Sequence, residues 1–253
     1  MNMPVQTTRE YEAMRLLEEV QNRQKLANAA FLLERKKKQA KQTPRKSKSA
    51  PMYDRDMPII AAYAESKPEG LLSVITFVLC TIQAGLSTVK AQMDDVKVHG
   101  SQSMYLWGKK SDGYSQVRGN LEFFWAKLFH LRDKSTDDPE IIAEAIKLLM
   151  TIPNLGLVKA AFVCQCVGFN VACIDTHNLK RLGLKPSAVK INAGLSKEKK
   201  HEKIIAYIEL CQEQGAKYWW DTWCEHVAGN QANRRLKTGE AVSAYHSECV
   251  LNF

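Results

Sequence analysis

The sequence predicts an all-α protein built as an orthogonal array of short helices, and three observations lead to this fold class. Apolar residues recur with helical spacing through most of the chain after residue 58. No convincing stretch alternates polar and apolar residues as a half-buried strand does. The periodic segments are many, short and joined by short turns, which favours an orthogonal array over an up-and-down bundle with fewer, longer helices.

The main domain is predicted to span residues 58–228, and some of its helices begin at recognisable start signals. Asp138 and a first-turn Pro139 precede one segment, and Ser196 precedes another. The predicted helices cover residues 58–66, 69–83, 86–97, 119–131, 138–150, 155–168, 176–183, 197–214 and 217–228.

Two other segments interrupt or follow this helical pattern. Residues 98–118 are rich in Gly and Ser, and we predict a loop insertion there, with a short hairpin as the alternative. From residue 229 the periodicity weakens, and residues 229–253 are predicted to form a C-terminal extension that wraps over the surface of the domain.

Residues 1–57 are predicted to form an N-terminal extension, with an amphipathic helix over residues 8–34 and a basic, flexible linker after it. Residues 35–48 hold eight basic side chains and no acidic one, so nearly all of the net charge of +9 is local. Such a tract is a solvated tail, a tail that contacts phosphate, or a nuclear address, and composition does not separate the three. In the second case, the basic residues expected to contact DNA are Arg35, Lys36, Lys37, Lys38, Arg45 and Lys46.

The overall composition is typical of a soluble globular protein, with 45% hydrophobic and 25% charged residues. The longest apolar run, near residues 71–79, is much shorter than the roughly 20 residues of a membrane span. Charges near the N-terminus also stand where a secretory signal has its apolar region. We therefore expect a soluble, intracellular monomer, in the cytoplasm or nucleoid, or in the nucleus of a eukaryote.

The seven cysteines are scattered and mostly embedded in apolar helical patterns. Reduced core thiols explain this distribution better than a disulfide framework does. No Cys-x-x-Cys pair occurs and the C-terminal cysteines are widely spaced, so we predict neither a zinc nor an iron–sulfur site, and no cofactor.

Residues 151–156 connect two predicted helices and contain a characteristic set of turn residues. Pro153 fixes φ, Asn154 can take a left-handed conformation, and Gly156 lets the backbone approach another group. The helix that follows begins with unpaired amides, and Lys159 lies one turn along. The segment is therefore either a plain connection or a phosphate site at a helix N-terminus.

Asp175 is the one acid in the apolar stretch 152–184, and it stands directly before a short predicted helix. The simplest interpretation is an N-cap, in which the carboxylate accepts hydrogen bonds from the next amides. Such bonds favour the ionised form of a carboxylate. An ionised carboxylate can stabilise an oxocarbenium ion or act as a base toward water, so the cap and a chemical role are compatible.

The two segments, in their order and spacing, resemble the helix-hairpin-helix DNA glycosylases of the endonuclease III type, the HhH-GPD superfamily. Residues 152–160 (IPNLGLVKA) stand where the family has its hairpin, and residues 174–183 (IDTHNLKRLG) stand where it has its Asp-Thr-His segment. Residues 78–89 (VLCTIQAGLSTV) resemble the family's glutamine-containing helix. The resemblance covers residues 58–228.

This resemblance implies a two-lobed domain with a helix-hairpin-helix motif. Double-stranded DNA with a damaged or modified base would bind across the cleft, and the target nucleotide would be flipped out. Asp175 would be the catalytic carboxylate and Gln83 would fill the space left in the duplex, while His177 would orient the aspartate, touch phosphate or have a structural role. The remaining residues expected to contact DNA are Asn154, Leu155, Gly156, Lys159, Lys180 and Arg181.

The chain departs from the family pattern at the hairpin, and it also lacks the iron–sulfur motif of many relatives. Asn154 stands where the family has its first hairpin glycine, and Val158 stands where bifunctional members have their nucleophilic lysine. Lys159 is one position along and should point about 100° away on a helix, so we expect it to contact phosphate. The sequence therefore predicts a monofunctional glycosylase that uses water as its nucleophile, unless the register is shifted by one residue.

Three functions from different classes stay open. The first is an N-glycosylase that excises an abnormal or modified base by hydrolysis, in base excision or in viral DNA metabolism. The second is a catalytically inactive DNA-binding protein, and the third is a DNA base-hypermodification enzyme on the same scaffold.

A few further side chains are candidates without a motif behind them. Cys224 and His226 could pair as ligands or as thiolate and base, and Asp221 is a second carboxylate. Three aromatic residues at helical spacing either stack on a base or, as is more common, belong to the core: Trp219, Trp220 and Trp223.

Overall fold

The computed structural model describes residues 51–192, 194–228 and 236–253. All regular secondary structure in these ranges is helical, as the apolar periodicity predicts. The α-helices are α1 (Met52–Ser66), α2 (Pro68–Cys80), α3 (Val89–His99), α4 (Lys109–Gly119), α5 (Leu121–Lys134), α6 (Pro139–Leu149), α7 (Leu157–Cys166), α8 (Thr176–Leu182), α9 (Lys197–Gln212), α10 (Gly215–Ala228) and α11 (Gly239–Leu251). Short 3-10 turns occur at Leu86–Thr88, Gly100–Gln102 and Pro186–Val189. These residues contain no strand, and the all-α prediction is confirmed.

The helices predicted for the main domain are all present, and their start signals act as expected. The Asp138 carboxylate accepts a hydrogen bond from the Glu140 amide at 2.8 Å, and the Ser196 hydroxyl accepts one from the Lys199 amide at 3.3 Å. Helix α1 begins at Met52, before its predicted start, and Pro58 lies inside the helix rather than at its first position. The helix predicted over residues 8–34 and the basic tract that follows lie outside the described residues.

Helix α2 forms the centre of the core. All its residues from 70 to 80 are buried, and α1, α3, α4, α5, α7 and α11 pack around it. Its buried hydroxyls are paired, because Ser73 donates to the Val250 carbonyl and Thr76 to the Leu72 carbonyl. A helix that is apolar on every side is stable only when it is enclosed in this way. The described residues 51–192, 194–228 and 236–253 form one compact unit.

The prediction of a loop or hairpin over residues 98–118 is wrong for most of that stretch. Helix α3 ends only at His99, and α4 occupies Lys109–Gly119. Helix α4 is weakly apolar, and half of its buried face consists of Lys110 and Gly113. Gly113 allows a close approach to the turn before α7, since a Cβ atom there would lie 2.4 Å from the Pro153 carbonyl oxygen. The supposed insertion is therefore a packed part of the fold.

The prediction of a surface extension over residues 229–253 is also wrong for residues 236–253, the part that the structure describes. Helix α11 packs against α1, α2, α3 and α10, and Val242, Cys249 and Val250 belong to the core. Its buried face also includes Ser243 and His246, and these polar residues obscure the apolar period in the sequence. None of the helices in the described ranges combines the length and the hydrophobicity that a bilayer span needs.

Candidate functional site

The turn between α6 and α7 has the geometry that its residues suggested. The Leu155 amide donates to the Ile152 carbonyl at 3.1 Å, and Asn154 has φ of 72°. Proline followed by a residue with positive φ is typical of a type II turn. The left-handed conformation predicted for Asn154 is therefore confirmed.

The side of this turn that faces solvent leads into the start of α7. Asn154 and Gly156 are exposed, whereas Ile152, Leu155 and Leu157 are buried and anchor the turn to the core. Gly156 is the N-cap residue, with φ of −79° and ψ of 177°. The first amides of a helix have no partner within it, so this end of α7 can accept an anion.

Asp175 caps α8, as predicted. Its Oδ1 atom accepts a hydrogen bond from the Asn178 amide at 3.1 Å, and its carbonyl accepts one from the Leu179 amide at 2.8 Å. The Asn178 side chain is buried and donates to the Cys173 carbonyl at 2.9 Å. The backbone on both sides of the aspartate is thereby fixed.

The second carboxylate oxygen of Asp175 has a partner from another helix. The indole Nε1 of Trp223, on α10, donates to Oδ2 at 3.0 Å. The ring of Trp223 is half-buried and stacks on that of Trp220, with centroids 5.4 Å apart and an angle of 25° between the planes. Of the three tryptophans on α10, Trp219 and Trp220 belong to the core and Trp223 meets the site.

A cleft of about 170 Å³ opens beside the Asp175 carboxylate. Its walls come from the turn after α2, from α7, from the link before α8 and from α10. The lining is mostly apolar and aromatic, with one acid and one base. The lining residues are Thr81, Ala84, Gly85, Leu86, Lys159, Phe162, Cys173, Asp175, Trp223 and Val227.

The structure places Lys159 among the residues that line the cleft, and its contact with phosphate stays a prediction. Its Nζ donates to the Thr81 hydroxyl at 3.2 Å and lies 5.6 Å from the centroid of the Phe162 ring. Thr81 donates its own proton to the Val78 carbonyl at 2.6 Å, so its oxygen is free to accept. Val158, the preceding residue, packs against the core instead.

Cys173 is the thiol of the cleft. Burial raises its pKa to about 12, against the opposing influence of the Lys159 ammonium. A thiol with this pKa is protonated at neutral pH and is a poor nucleophile. All seven cysteines are free and six are buried, so the expected place of the cysteines in the core is confirmed for these six. Among the described residues, no group of three or more Cys, His, Asp or Glu side chains is placed to hold a metal ion.

Gln83 lies in the turn after α2, between residues that line the cleft. It is exposed and has φ of 57°. The Lys110 ammonium, on α4, donates to the Ile82 carbonyl at 2.6 Å and lies 5.2 Å from the centroid of the Trp107 ring. Lys110 therefore supports the turn that presents Gln83 to solvent.

The candidates without a motif do not form a second site. Cys224 is buried whereas His226 is exposed, so the two side chains face different environments. Asp221 accepts a hydrogen bond from the Tyr53 amide at 2.9 Å, at the start of α1, and burial raises its pKa. This carboxylate therefore has a structural partner away from the cleft.

Some predicted DNA contacts are outside what the structure describes. His177, Lys180 and Arg181 lie in α8, but only their backbone is described. The basic residues Arg35 to Lys38, Arg45 and Lys46 precede the described ranges entirely.

Sequence reasoning did not find Thr81, Phe162 or Cys173 as site residues. Phe162 stands one turn after Lys159, so helical spacing was the available signal for it, whereas Thr81 stands two residues before Gln83, a separation at which helical side chains do not face each other. Comparison with known proteins finds no matching family model, no matching curated protein and no matching solved structure.

Proposed function

We propose that the protein is a DNA N-glycosylase that hydrolyses the bond between deoxyribose and an abnormal or modified base. The single observation that carries this proposal is the Asp175 carboxylate, which lines a cleft and accepts a hydrogen bond on each oxygen. The apolar and aromatic walls of that cleft suit the faces of a flipped base.

The chemistry follows from a fixed anion beside the sugar. As the bond between C1′ and the base breaks, positive charge develops on the sugar ring, and a nearby carboxylate stabilises it. The same carboxylate can accept a proton from the water that attacks C1′. The two hydrogen bonds to Asp175 hold it in one orientation, so little reorganisation is needed when the charge appears.

The DNA-binding part of the proposal uses the turn between α6 and α7 as the hairpin of a helix-hairpin-helix motif, in a two-lobed domain. Its support is an exposed turn at Asn154 and Gly156, directly before the N-terminus of α7. Backbone amides there would bind a phosphate of the duplex. Gln83, exposed on a supported turn next to the cleft, would occupy the space that the flipped nucleotide leaves.

The test is incubation with a panel of duplexes, each with one damaged or modified base, and detection of released bases by mass spectrometry. We expect Asp175→Asn to abolish release and to leave duplex binding intact, because asparagine keeps an oxygen for the cap but loses the charge. Asp221→Asn is the matched control, since that aspartate lies on α10 outside the cleft. If the wild-type protein releases no base from any duplex, the binding or hypermodification hypothesis replaces this proposal.

A bifunctional glycosylase is the second candidate, and the position of Lys159 favours it. Its amine lines the same cleft as Asp175, although the family register puts Val158 at the nucleophile position. An amine that attacks C1′ displaces the base and then forms a Schiff base with the opened sugar. Borohydride would trap that species as a covalent complex with DNA in the wild type but not in Lys159→Gln. If strands break only after alkali or heat, the enzyme is monofunctional.

A further inference from the structure

We propose that Trp223 is a positioning residue that fixes the orientation of the Asp175 carboxylate, and that helix α11 supports it through Trp220. The kinetic consequence of this inference rests on the proposed glycosylase function. The geometric part does not, because it concerns a hydrogen bond within the free protein.

The two oxygens of Asp175 have donors from different parts of the fold. The Asn178 amide belongs to the helix that Asp175 caps, whereas the Trp223 indole comes from α10. Trp223 and Asp175 are 48 positions apart in the sequence. The terminal torsion of an aspartate is broad, so one bond alone leaves the carboxylate plane free to turn. A second donor on the other oxygen restricts that rotation.

The chemical nature of the donor matters as well. An indole N–H donates and never accepts, so it binds a lone pair of the carboxyl oxygen that faces it. A hydrogen bond to a charged acceptor is also stronger than one between neutral groups. Trp223 therefore supplies Oδ2 of Asp175 with a donor that has no accepting role of its own.

The Trp223 ring is itself supported by contacts with neighbouring side chains. Its ring stacks on Trp220, whose Nε1 donates to the Ser243 hydroxyl of α11 at 2.9 Å. The Ser243 hydroxyl donates to Asp56, and the Arg55 guanidinium binds both oxygens of Asp56. The buried Ser243 of α11 is thus one link in a chain of contacts that leads to the Asp175 carboxylate.

Indole NMR signals test the geometry without any substrate. The chain has five tryptophans, so ¹⁵N labelling of the indoles gives five N–H signals, and Trp223→Phe identifies one of them. We expect Asp175→Asn to shift the Trp223 signal and to leave that of Trp125 in place, because the Trp125 indole donates to the Ala64 carbonyl instead. A Trp223 signal that does not respond to Asp175→Asn would overturn the inference.

Single-turnover base release tests the consequence. Trp223→Phe removes the donor and keeps an aromatic wall, and we expect the rate to fall about 10- to 100-fold, as for loss of a hydrogen bond to a charged group. Binding to a duplex with a tetrahydrofuran abasic-site analogue should not change. Trp125→Phe loses an indole bond outside the cleft and should keep the wild-type rate, and Trp223→His, which retains a ring N–H, should recover part of it.

The two arms separate failure of the inference from failure of the proposed function. If the wild type releases no base from any duplex, the glycosylase proposal fails, and the indole signals alone then decide whether Trp223 holds Asp175. If the wild type releases base and Trp223→Phe does so at the same rate, the positioning role is refuted while the glycosylase proposal stands.

Discussion

Lowering the pH from 7 to 5 should destabilise this protein through one buried histidine, His246. Its ring lies among aromatic side chains, 4.3 Å from Phe77 and 4.9 Å from Trp220 between ring centroids. Its Nε2 lies 3.7 Å from the Cys166 sulfur, and Nδ1 has no hydrogen-bond partner among the described residues. Burial lowers the pKa of His246 from 6.5 to about 3, although Asp56 acts in the opposite direction.

The sign and the magnitude follow from this difference between the folded and unfolded states. The pKa is depressed on folding, so between pH 6.5 and 3 the unfolded chain binds a proton that the folded protein does not. The stability is complete above pH 6.5 and falls by about 1.4 kcal/mol for each pH unit below it. At pH 5 the loss is about 2 kcal/mol, and any folded pKa below about 4 gives the same value.

Urea unfolding at pH 7 and pH 5, followed by circular dichroism, measures this loss. His246→Phe keeps a ring in the aromatic cluster and cannot be protonated, so its stability should fall about 2 kcal/mol less than that of the wild type between the two pH values. The exposed His130 provides the control, and His130→Gln should behave as the wild type does. Equal losses in all three proteins would refute the reasoning, whatever the absolute stability of each variant.

Two further predictions concern the packing of α4 against the turn between α6 and α7, and the basic tract. Gly113→Ala should lower the free energy of unfolding by about 1–3 kcal/mol, because the new Cβ would overlap the Pro153 carbonyl. Gly119→Ala on the same helix is the control, since its Cβ would meet open space. Equal urea midpoints for the two variants would contradict the explanation. Deletion of residues 1–50 should weaken duplex binding and lessen its salt dependence, because the eight basic residues of the tract 35–48 are lost with it. An unchanged salt slope would mean that the tract does not contact DNA.

Local sequence rules were sufficient for the helices and the caps. Helix α6 has Ile142, Ile146 and Leu149 on its buried face, with Asp138 before its first turn. Asn154 and Asp175 could likewise be assigned a turn and a cap, because those conformations depend on a few neighbouring residues. These features require no knowledge of what packs against them.

The partners of Asp175 and Lys159 in the cleft could not be predicted in the same way. Helical geometry gives the angle between Val158 and Lys159, about 100°, but it does not say which of them faces a cleft. That depends on where α2 and α10 lie, because Thr81 and Trp223 supply the hydrogen bonds. Resemblance to a family gives a register along the chain, but it does not give the positions of these neighbouring helices.

Helix α11 escaped prediction because of the polar residues on its buried face, and the same residues connect it to the cleft. Ser243 accepts the hydrogen bond from the Trp220 indole, and His246 packs against Phe162, which lines the cleft. An apolar residue at position 243 would have strengthened the helical period, but it would have removed the acceptor of the Trp220 indole. Sequence patterns and packing usually agree, and a departure from the pattern within a core is most informative where the polar side chains have specific partners. We therefore expect Ser243→Ala, which is small enough to pack, to shift the Trp220 and Trp223 indole signals together. If only the Trp220 signal moves, Trp223 holds its position without support from α11.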